Sequence, residues 1–291
     1  MQSIKALHAR RFGWDFHDSP IYWANGSPAL SHLLNVYTLL VPDNEKYYIR
    51  ALSSCRAMLT SPSVQAQLLE FCRQESLHGL AHQRHWYSLR SRGLAIDKYI
   101  RAVNWFLYSF LEKASPLRLR VSVVAAIEHV NASWAHAFLE LDLLENSDKD
   151  LRDLFYWHFA EEIEHKAVAH NVLSEAYPGY FTRCLGAAIA FPLFLGLIVI
   201  GVGYFLAATP RPRWYSIRRD SQEQVISTGL LRLITHEMLR YFRSDFDPWG
   251  TNDYDLAHNA LSSITKRRKS LLTSAIGERI VERPSYKANT N

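Results

Sequence analysis

The sequences Glu75-Ser76-Leu77-His78 and Glu162-Ile163-Glu164-His165 are two copies of the motif Glu-x-x-His, and each follows a lone glutamate, Glu45 or Glu128, by about thirty residues. Residues three apart on an α-helix project from one face, so each motif can offer an oxygen and a nitrogen to one metal ion. One such motif is common on helices. Two motifs, each with a preceding glutamate, are typical of dinuclear carboxylate sites inside four-helix bundles. The doubled pattern therefore predicts a helical bundle around a pair of metal ions.

The candidate site residues fall into two sets. The predicted metal ligands are Glu45, Glu75, His78, Glu128, Glu162 and His165. The residues predicted to act in catalysis, as extra ligands or by orienting ligands are Glu161, His82 and His158. Periodicity alone does not choose between Glu161 and Glu162 as the ligand, but the likeness to Glu75-x-x-His78 favours Glu162. Glu161 then becomes a bridging carboxylate or a group that orients a ligand.

The surroundings of the two motifs distinguish them from ordinary charged helix faces. A single Glu-x-x-His usually marks a solvated face. These two lie among Phe71, Leu77, Phe155, Trp157 and Phe159, and acidic groups in such apolar segments need a compensating partner. Glutamate oxygens suit hard metal ions, so we expect two metal ions, with iron favoured and manganese or zinc also possible.

The fold class predicted from the whole chain is all-α: a ferritin-like four-helix bundle with additional helices and a hydrophobic helical segment of membrane length. No strand pattern competes with the helical one in the bundle half of the chain. The connection of about fifty residues between His78 and Glu128 is long enough for the crossover of ferritin-like bundles. Proline after a capping residue predicts helices beginning near Asp43 and Pro62, Pro116 opens a third, and Ser147 with Asp150 caps a fourth.

Five sections follow from this reading of the chain. We expect an irregular N-terminal entry segment over residues 1–41, a di-metal helical bundle over 42–180, a hydrophobic membrane-associated or transmembrane segment over 181–214, a C-terminal helical section packed on the bundle over 215–282, and a disordered tail over 283–291.

Composition limits the classes of partner. The chain has 291 residues, is 48% hydrophobic and carries a net charge of +5, but its basic residues are scattered and no nucleic-acid-binding motif is present. We therefore expect no nucleic-acid partner. Three cysteines without a Cys-x-x-Cys pair favour a reducing compartment, and the N-terminus lacks an apolar run of signal-peptide length. A cytoplasmic catalytic bundle is the expectation.

Residues 186–208 contain no charged side chain and reach the length of a membrane-spanning helix. A true span would put the segment 241–249 on the other side of the membrane from the metal site. An in-plane or re-entrant helix, broken at Pro192, avoids this, as does a helix packed on the bundle or on the partner of a homodimer. We expect membrane association at the cytoplasmic face of the inner membrane, with the basic run 266–269 as a contact to anionic lipid.

Five motifs together resemble the bacterial family of predicted metal-dependent hydrolases. They are Pro42-Asp43-Asn44-Glu45, Gln74-Glu75-Ser76-Leu77-His78 with His82, Glu128-His129, Trp157-His158-Phe159-Ala160-Glu161-Glu162-Ile163-Glu164-His165-Lys166, and an aromatic Pro-Trp ending at 241–249. The resemblance covers roughly residues 19–255. It implies a metal-dependent activity, and the ligand set is also similar to that of ferritin-like di-iron proteins, which bind and activate O₂.

Three functions remain open from the sequence. The leading hypothesis is a di-iron oxygenase or oxidase that acts on a hydrophobic, lipid-like substrate at the membrane and needs O₂ and an electron donor. The first alternative is a metal-dependent hydrolase with the same ligands, in which the metals act as Lewis acids. The second is a non-catalytic metal-binding or scaffold protein of the membrane.

Overall fold

The computed structural model describes residues 7–208 and 214–281, and every regular element in these two ranges is helical. The α-helices are α1 (Pro28–Ser53), α2 (Pro62–Ser91), α3 (Ile96–Asn104), α4 (Glu112–Ala114), α5 (Leu117–Glu140), α6 (Lys149–His165), α7 (Val168–Ala176), α8 (Tyr180–Ala208), α9 (Trp214–Ser221), α10 (Leu230–Arg240) and α11 (Tyr254–Val281). A π-helical segment, Trp105–Leu111, joins α3 to α4, and a second one, Gln222–Ile226, follows α9. The all-α prediction is confirmed.

Helix α1 begins at Pro28, well before the predicted start near Asp43, so the prediction of an irregular chain up to residue 41 is wrong for residues 28–41. The Ser27 side chain caps the helix by accepting a hydrogen bond from the Leu30 N–H at 2.9 Å. Pro42 therefore lies inside the helix, where it cannot donate to the Thr38 carbonyl four residues earlier. The Trp86 indole N–H donates to that carbonyl at 3.0 Å instead, which explains how the helix tolerates its proline.

The other helix limits agree with the sequence except around α6. Helix α2 begins at Pro62 after its cap Ser61, as predicted, and it ends at Ser91, two residues before Gly93. Helix α5 begins directly after Pro116, as predicted, and ends at Glu140, and Asp148, not Ser147, caps α6. Helix α6 ends at His165. The ammonium group of the next residue, Lys166, pairs with Asp253.

Helices α1, α2, α5 and α6 surround a core of large aromatic side chains and carry all the predicted ligands. Helix α1 packs on α2 and α5, and α6 packs on α5 and α2. The most deeply buried aromatic side chains in this region include Trp23, Tyr37, Phe71, Phe138, Phe155, Trp157 and Phe159. The assignment of this bundle to the ferritin-like fold stays a prediction.

The apolar helix α8 packs along the bundle through one of its faces. Gly186 lies so close to α5 that a methyl group there would meet Ser122, and a methyl group at Gly201 would meet Val36 of α1. The helix runs without a break through Pro192. By length and composition it could cross a membrane, and 39% of its most apolar window is buried against the protein. Its other face exposes Phe181, Leu185, Leu195, Val199 and Ile200.

The chain after α8 returns to the same bundle at both ends of that helix. Asp220 of α9 accepts hydrogen bonds from Ser27 and the Ala29 N–H at the start of α1. At the other end, the Arg183 guanidinium donates to the carbonyls of Tyr241 and Arg243. A span by α8 alone, with the C-terminal section on the far side of a membrane, is therefore incompatible with this packing.

The basic run 266–269 also has a structural role that the sequence did not show. Arg267 pairs with Asp153 at 2.5 Å, and Arg268 pairs with Asp150 at 2.6 Å while stacking over the Trp14 ring. These contacts attach α11 to α6 and to the N-terminal segment. The two arginines are thus engaged with the protein, and a contact of this basic run with anionic lipid stays a prediction.

The close packing of α8 on α5 gives a direct stability prediction. Gly186→Ala should destabilise the fold by about 1–3 kcal/mol, because the added methyl group overpacks the crossing with Ser122. Gly196→Ala on the same helix meets no atom within 4 Å and should be neutral or stabilising by up to about 1 kcal/mol through helix propensity. Urea unfolding of both variants measures the difference, and equal stabilities would show that α8 does not pack here.

Candidate metal centre

The four bundle helices bring the six predicted ligands together in the interior, each side chain no more than 3% exposed. Two groups of potential ligand atoms result, and within each group all atoms lie within 4.8 Å of one another. The first group is Glu45, His78, His158 and Glu162, and the second is Glu75, Glu128, Glu162 and His165. Glu162 belongs to both groups, and Glu161 to neither. The structure thus contains two overlapping four-ligand clusters that share one carboxylate.

The grouping differs from the two half-sites of the sequence. Glu75 falls with His165 of α6 rather than with its own motif partner, because its Oε1 lies 3.2 Å from His165 Nε2 and 3.8 Å from His78 Nδ1. Glu162 directs Oε1 to His158 Nε2 at 2.8 Å and Oε2 to His165 Nε2 at 3.0 Å. Both motif glutamates therefore lie between histidines, but only Glu162 belongs to both clusters.

Several buried ligand atoms lack any hydrogen-bond partner in the described chain, which tests whether the site fits metal ions. They are both carboxylate oxygens of Glu45 and of Glu75, Oε2 of Glu128 and Nδ1 of His78. Buried polar atoms in proteins are nearly always hydrogen-bonded, since leaving them unpaired is costly. Atoms of just these types bind divalent cations, so the residues present fit a pair of metal ions.

The electrostatics of the carboxylates indicate the same need for positive charge. Burial, and then the neighbouring carboxylates, raise the pKa of Glu45 and Glu75 well above the usual value. Burial together with the charge of Glu162 raises the pKa of Glu128 to about 7. Burial alone would also raise the pKa of Glu162, but the adjacent imidazole of His165 lowers it. Four ionised glutamates would match the four positive charges of two divalent ions.

A side chain behind each histidine fixes which ring nitrogen faces the carboxylates. The Glu161 carboxylate lies 3.1 Å from His78 Nε2, and the Gln74 amide oxygen lies 3.1 Å from His165 Nδ1. With an N–H at each of these nitrogens, Nδ1 of His78 and Nε2 of His165 are the ring atoms that face the carboxylates. Hydrogen bonds of this kind orient metal-binding histidines and raise their basicity. Glu161 therefore acts on the site through His78.

The N-terminal segment completes this outer arrangement. Arg10 donates to Glu161 at 3.0 Å and forms two hydrogen bonds with Glu164, at 2.7 and 2.9 Å. The Gln74 amide nitrogen also donates to Glu164 at 3.2 Å and to the His8 carbonyl at 3.3 Å. Residues predicted only as an irregular entry segment therefore position both ligand-orienting groups.

The structure defines the neighbours of His82 and His158, the two histidines whose roles the sequence left open. His158 belongs to the first cluster, and its Nδ1 lies 2.9 Å from His82 Nε2. His82 lies outside both clusters and is hydrogen-bonded to the Thr38 hydroxyl at 2.9 Å. The Tyr37 hydroxyl lies 3.2 Å from His158 Nε2. A chain of hydrogen bonds thus runs from the site through His158 and His82 to Thr38.

The lone glutamates of α1 and α5 are held by smaller features. A side chain at Gly79 would place its Cβ 3.1 Å from Glu45 Oε2, so glycine gives α1 room to approach α2 beside His78. On α5, the Asn131 amide donates to Glu128 Oε1 at 3.3 Å. Glycine one position after the motif histidine, and asparagine one turn after the lone glutamate, are sequence signals that could have indicated these roles.

Comparison with known proteins bears directly on this centre. A family model described as "Predicted metal-dependent hydrolase" matches residues 8–252. The chain belongs to this family. The match includes every member of both metal clusters and also Arg10, so it confirms the resemblance seen in the sequence motifs. No curated protein and no solved structure matched the chain.

The contact between Glu161 and His78 predicts a loss of metal affinity when it is removed. Glu161→Ala should weaken metal binding by about 10–100-fold, as is typical when the partner of a metal-binding histidine is lost. Titration against a chromophoric chelator measures this affinity. Glu70→Ala, which removes a partly exposed glutamate of α2 that pairs with Arg73, should leave it unchanged. Equal affinities for both variants would contradict the assigned role of Glu161.

Proposed function

We propose that the protein is a hydrolase whose reaction depends on two metal ions held by the two clusters. The observation that carries this proposal is that Glu162 belongs to both clusters, so that two ions would lie side by side. Paired ions of this kind are common in hydrolytic enzymes. Membership of a family described as predicted metal-dependent hydrolases supports the same reaction class.

The residues of the chain have separate tasks in this proposal. Bound divalent ions would polarise the substrate and lower the pKa of a bound water. Glu75 and Glu162 would hold the two positions at a fixed spacing, because each carboxylate lies between two histidines. The hydrogen-bonded chain from His158 through His82 leads away from the carboxylates and offers a path for a proton.

O₂ chemistry at a di-iron site is the second candidate, and one observation favours it. The second cluster contains three glutamates and a single histidine, a set of hard oxygen ligands that suits iron or manganese. Such an oxygenase or oxidase would require O₂ and an electron donor. A non-catalytic metal-binding role would use the same residues without turnover.

Metal substitution under controlled atmosphere separates these functions. Metal-free protein is loaded anaerobically with zinc, manganese or ferrous iron and tested against carboxylic ester, amide and phosphoester substrates. We expect hydrolysis with zinc or manganese in the absence of O₂, because Lewis-acid chemistry needs no electron transfer. Turnover that requires both iron and O₂ would overturn the hydrolase and support the oxygenase. Stable binding of two ions with no turnover in any condition would indicate a non-catalytic role.

We also propose that the exposed apolar side of the protein rests on an anionic membrane surface. Helix α8 and the π-helical segment line one cavity, and Trp105 and Phe110 of that segment are 65% and 54% exposed. Lys98 and Arg101 precede Trp105 at helical spacing and are exposed. Aromatic and basic side chains on one apolar surface are typical of interfacial membrane binding. The bundle would then lie along the membrane surface.

Vesicle binding tests this membrane contact. The protein should sediment with vesicles that contain anionic lipid more than with purely zwitterionic ones. Replacing both Trp105 and Phe110 by serine should weaken binding at least about tenfold, because burying one large apolar side chain stabilises by about 1.5–3 kcal/mol. Tyr87→Ser removes an aromatic residue of α2 that is 70% exposed and serves as the control. Equal binding by all three proteins would contradict the proposed surface.

A further inference from the structure

A cavity of about 240 Å³ lies between α1, α5, α8 and the π-helical segment. Its walls are mainly apolar, and they include Tyr48, Leu107, Val123, Ile127, Ile189 and Phe194. The volume is slightly below the range of about 300–1,000 Å³ that is usual for drug-sized ligands. The cavity therefore suits one slender apolar group rather than a bulky or highly polar ligand.

One end of the cavity adjoins the metal centre. Asn44 and Tyr48 line it and flank Glu45 along α1, and Ile127 lines it immediately before Glu128 on α5. Burial, and then the charge of Glu128, raise the pKa of Tyr48 well above the usual value, which reflects how near this wall is to the carboxylates. The two lone glutamates of the site thus stand directly behind the cavity wall.

The other end is lined by the polar residues Glu112 and Arg120, next to the exposed π-helical segment. Arg120 and Glu128 are eight residues apart on α5, which corresponds to about 12 Å along the helix. Arg120 Nε is buried and has no hydrogen-bond partner in the described chain. The cavity therefore extends along α5 from Arg120 at this polar end to Ile127, the residue before Glu128.

We propose that this cavity binds a single straight aliphatic chain of the substrate, with the bond to be cleaved at the Tyr48 and Ile127 end. The proposal rests on the proposed function in placing a hydrolytic reaction at the metal centre. An aliphatic chain is the ligand that gains most from these walls, because each buried methylene adds about a fourfold increase in affinity. The outward apolar face of α8, next to the cavity, would receive such a chain from a lipid surface.

A series of straight-chain alkyl hydroxamic acids tests the cavity independently of turnover. The hydroxamate head binds metal ions, and the alkyl tail occupies whatever apolar space adjoins them. Titration of the metal-loaded full chain should show affinity rising about fourfold per methylene from acetohydroxamate upward, until the tail fills the cavity. A constant affinity along the series would overturn the proposal.

A matched pair of variants locates the tail. Ile189 lines the cavity and is 38% exposed, whereas Ile200 on the same helix lies outside the lining and is 66% exposed. Ile189→Trp should abolish the chain-length dependence while preserving acetohydroxamate binding, and Ile200→Trp should preserve both. Loss of chain-length dependence in neither variant, or in both, would contradict this cavity. Intact dependence in a protein that hydrolyses nothing would support the cavity and overturn only the hydrolase function.

Discussion

The burial of four glutamates inside an aromatic helical core is the constraint on which the rest of the structure depends. Glu45, Glu75, Glu128 and Glu162 are at most 3% exposed, and within the described residues the basic groups that lie against their carboxylates are the imidazoles of His78, His158 and His165. Ionised carboxylates in such surroundings are very costly unless cations compensate them. The bundle is therefore best understood as a scaffold whose interior charge is completed by metal ions.

Much of the remaining structure positions the side chains of the two clusters. The N-terminal segment contributes Arg10, which holds Glu161 against His78, while Gln74 holds His165. Gly79 lets α1 and α2 approach at Glu45. These contacts join the chain's beginning, its second helix and its sixth helix around one centre. Folding of the N-terminal segment and orientation of the histidines are therefore coupled.

The sequence predicted the helical class and the ligand positions because both depend on spacing along single helices, as in Glu162-x-x-His165. It failed where contacts between distant segments decide the outcome. Pro42 predicted a helix start, but the Trp86 indole satisfies the carbonyl that the proline leaves free. Arg10 lies in a segment without periodicity, so no pattern indicated its contact with Glu161. Glu75 groups with His165 of another helix, which motif spacing alone cannot show.

One face of helix α8 packs on the ligand-bearing helices, and its other face is exposed and apolar. The proposed chemistry of the centre requires two ions beside Glu162. Anomalous X-ray diffraction at the absorption edge of the metal, from crystals of metal-loaded protein, tests this most directly. It should show two peaks, one beside His78 and one beside His165, both in contact with the Glu162 carboxylate. A single peak, or two peaks that do not share Glu162, would contradict the dinuclear centre.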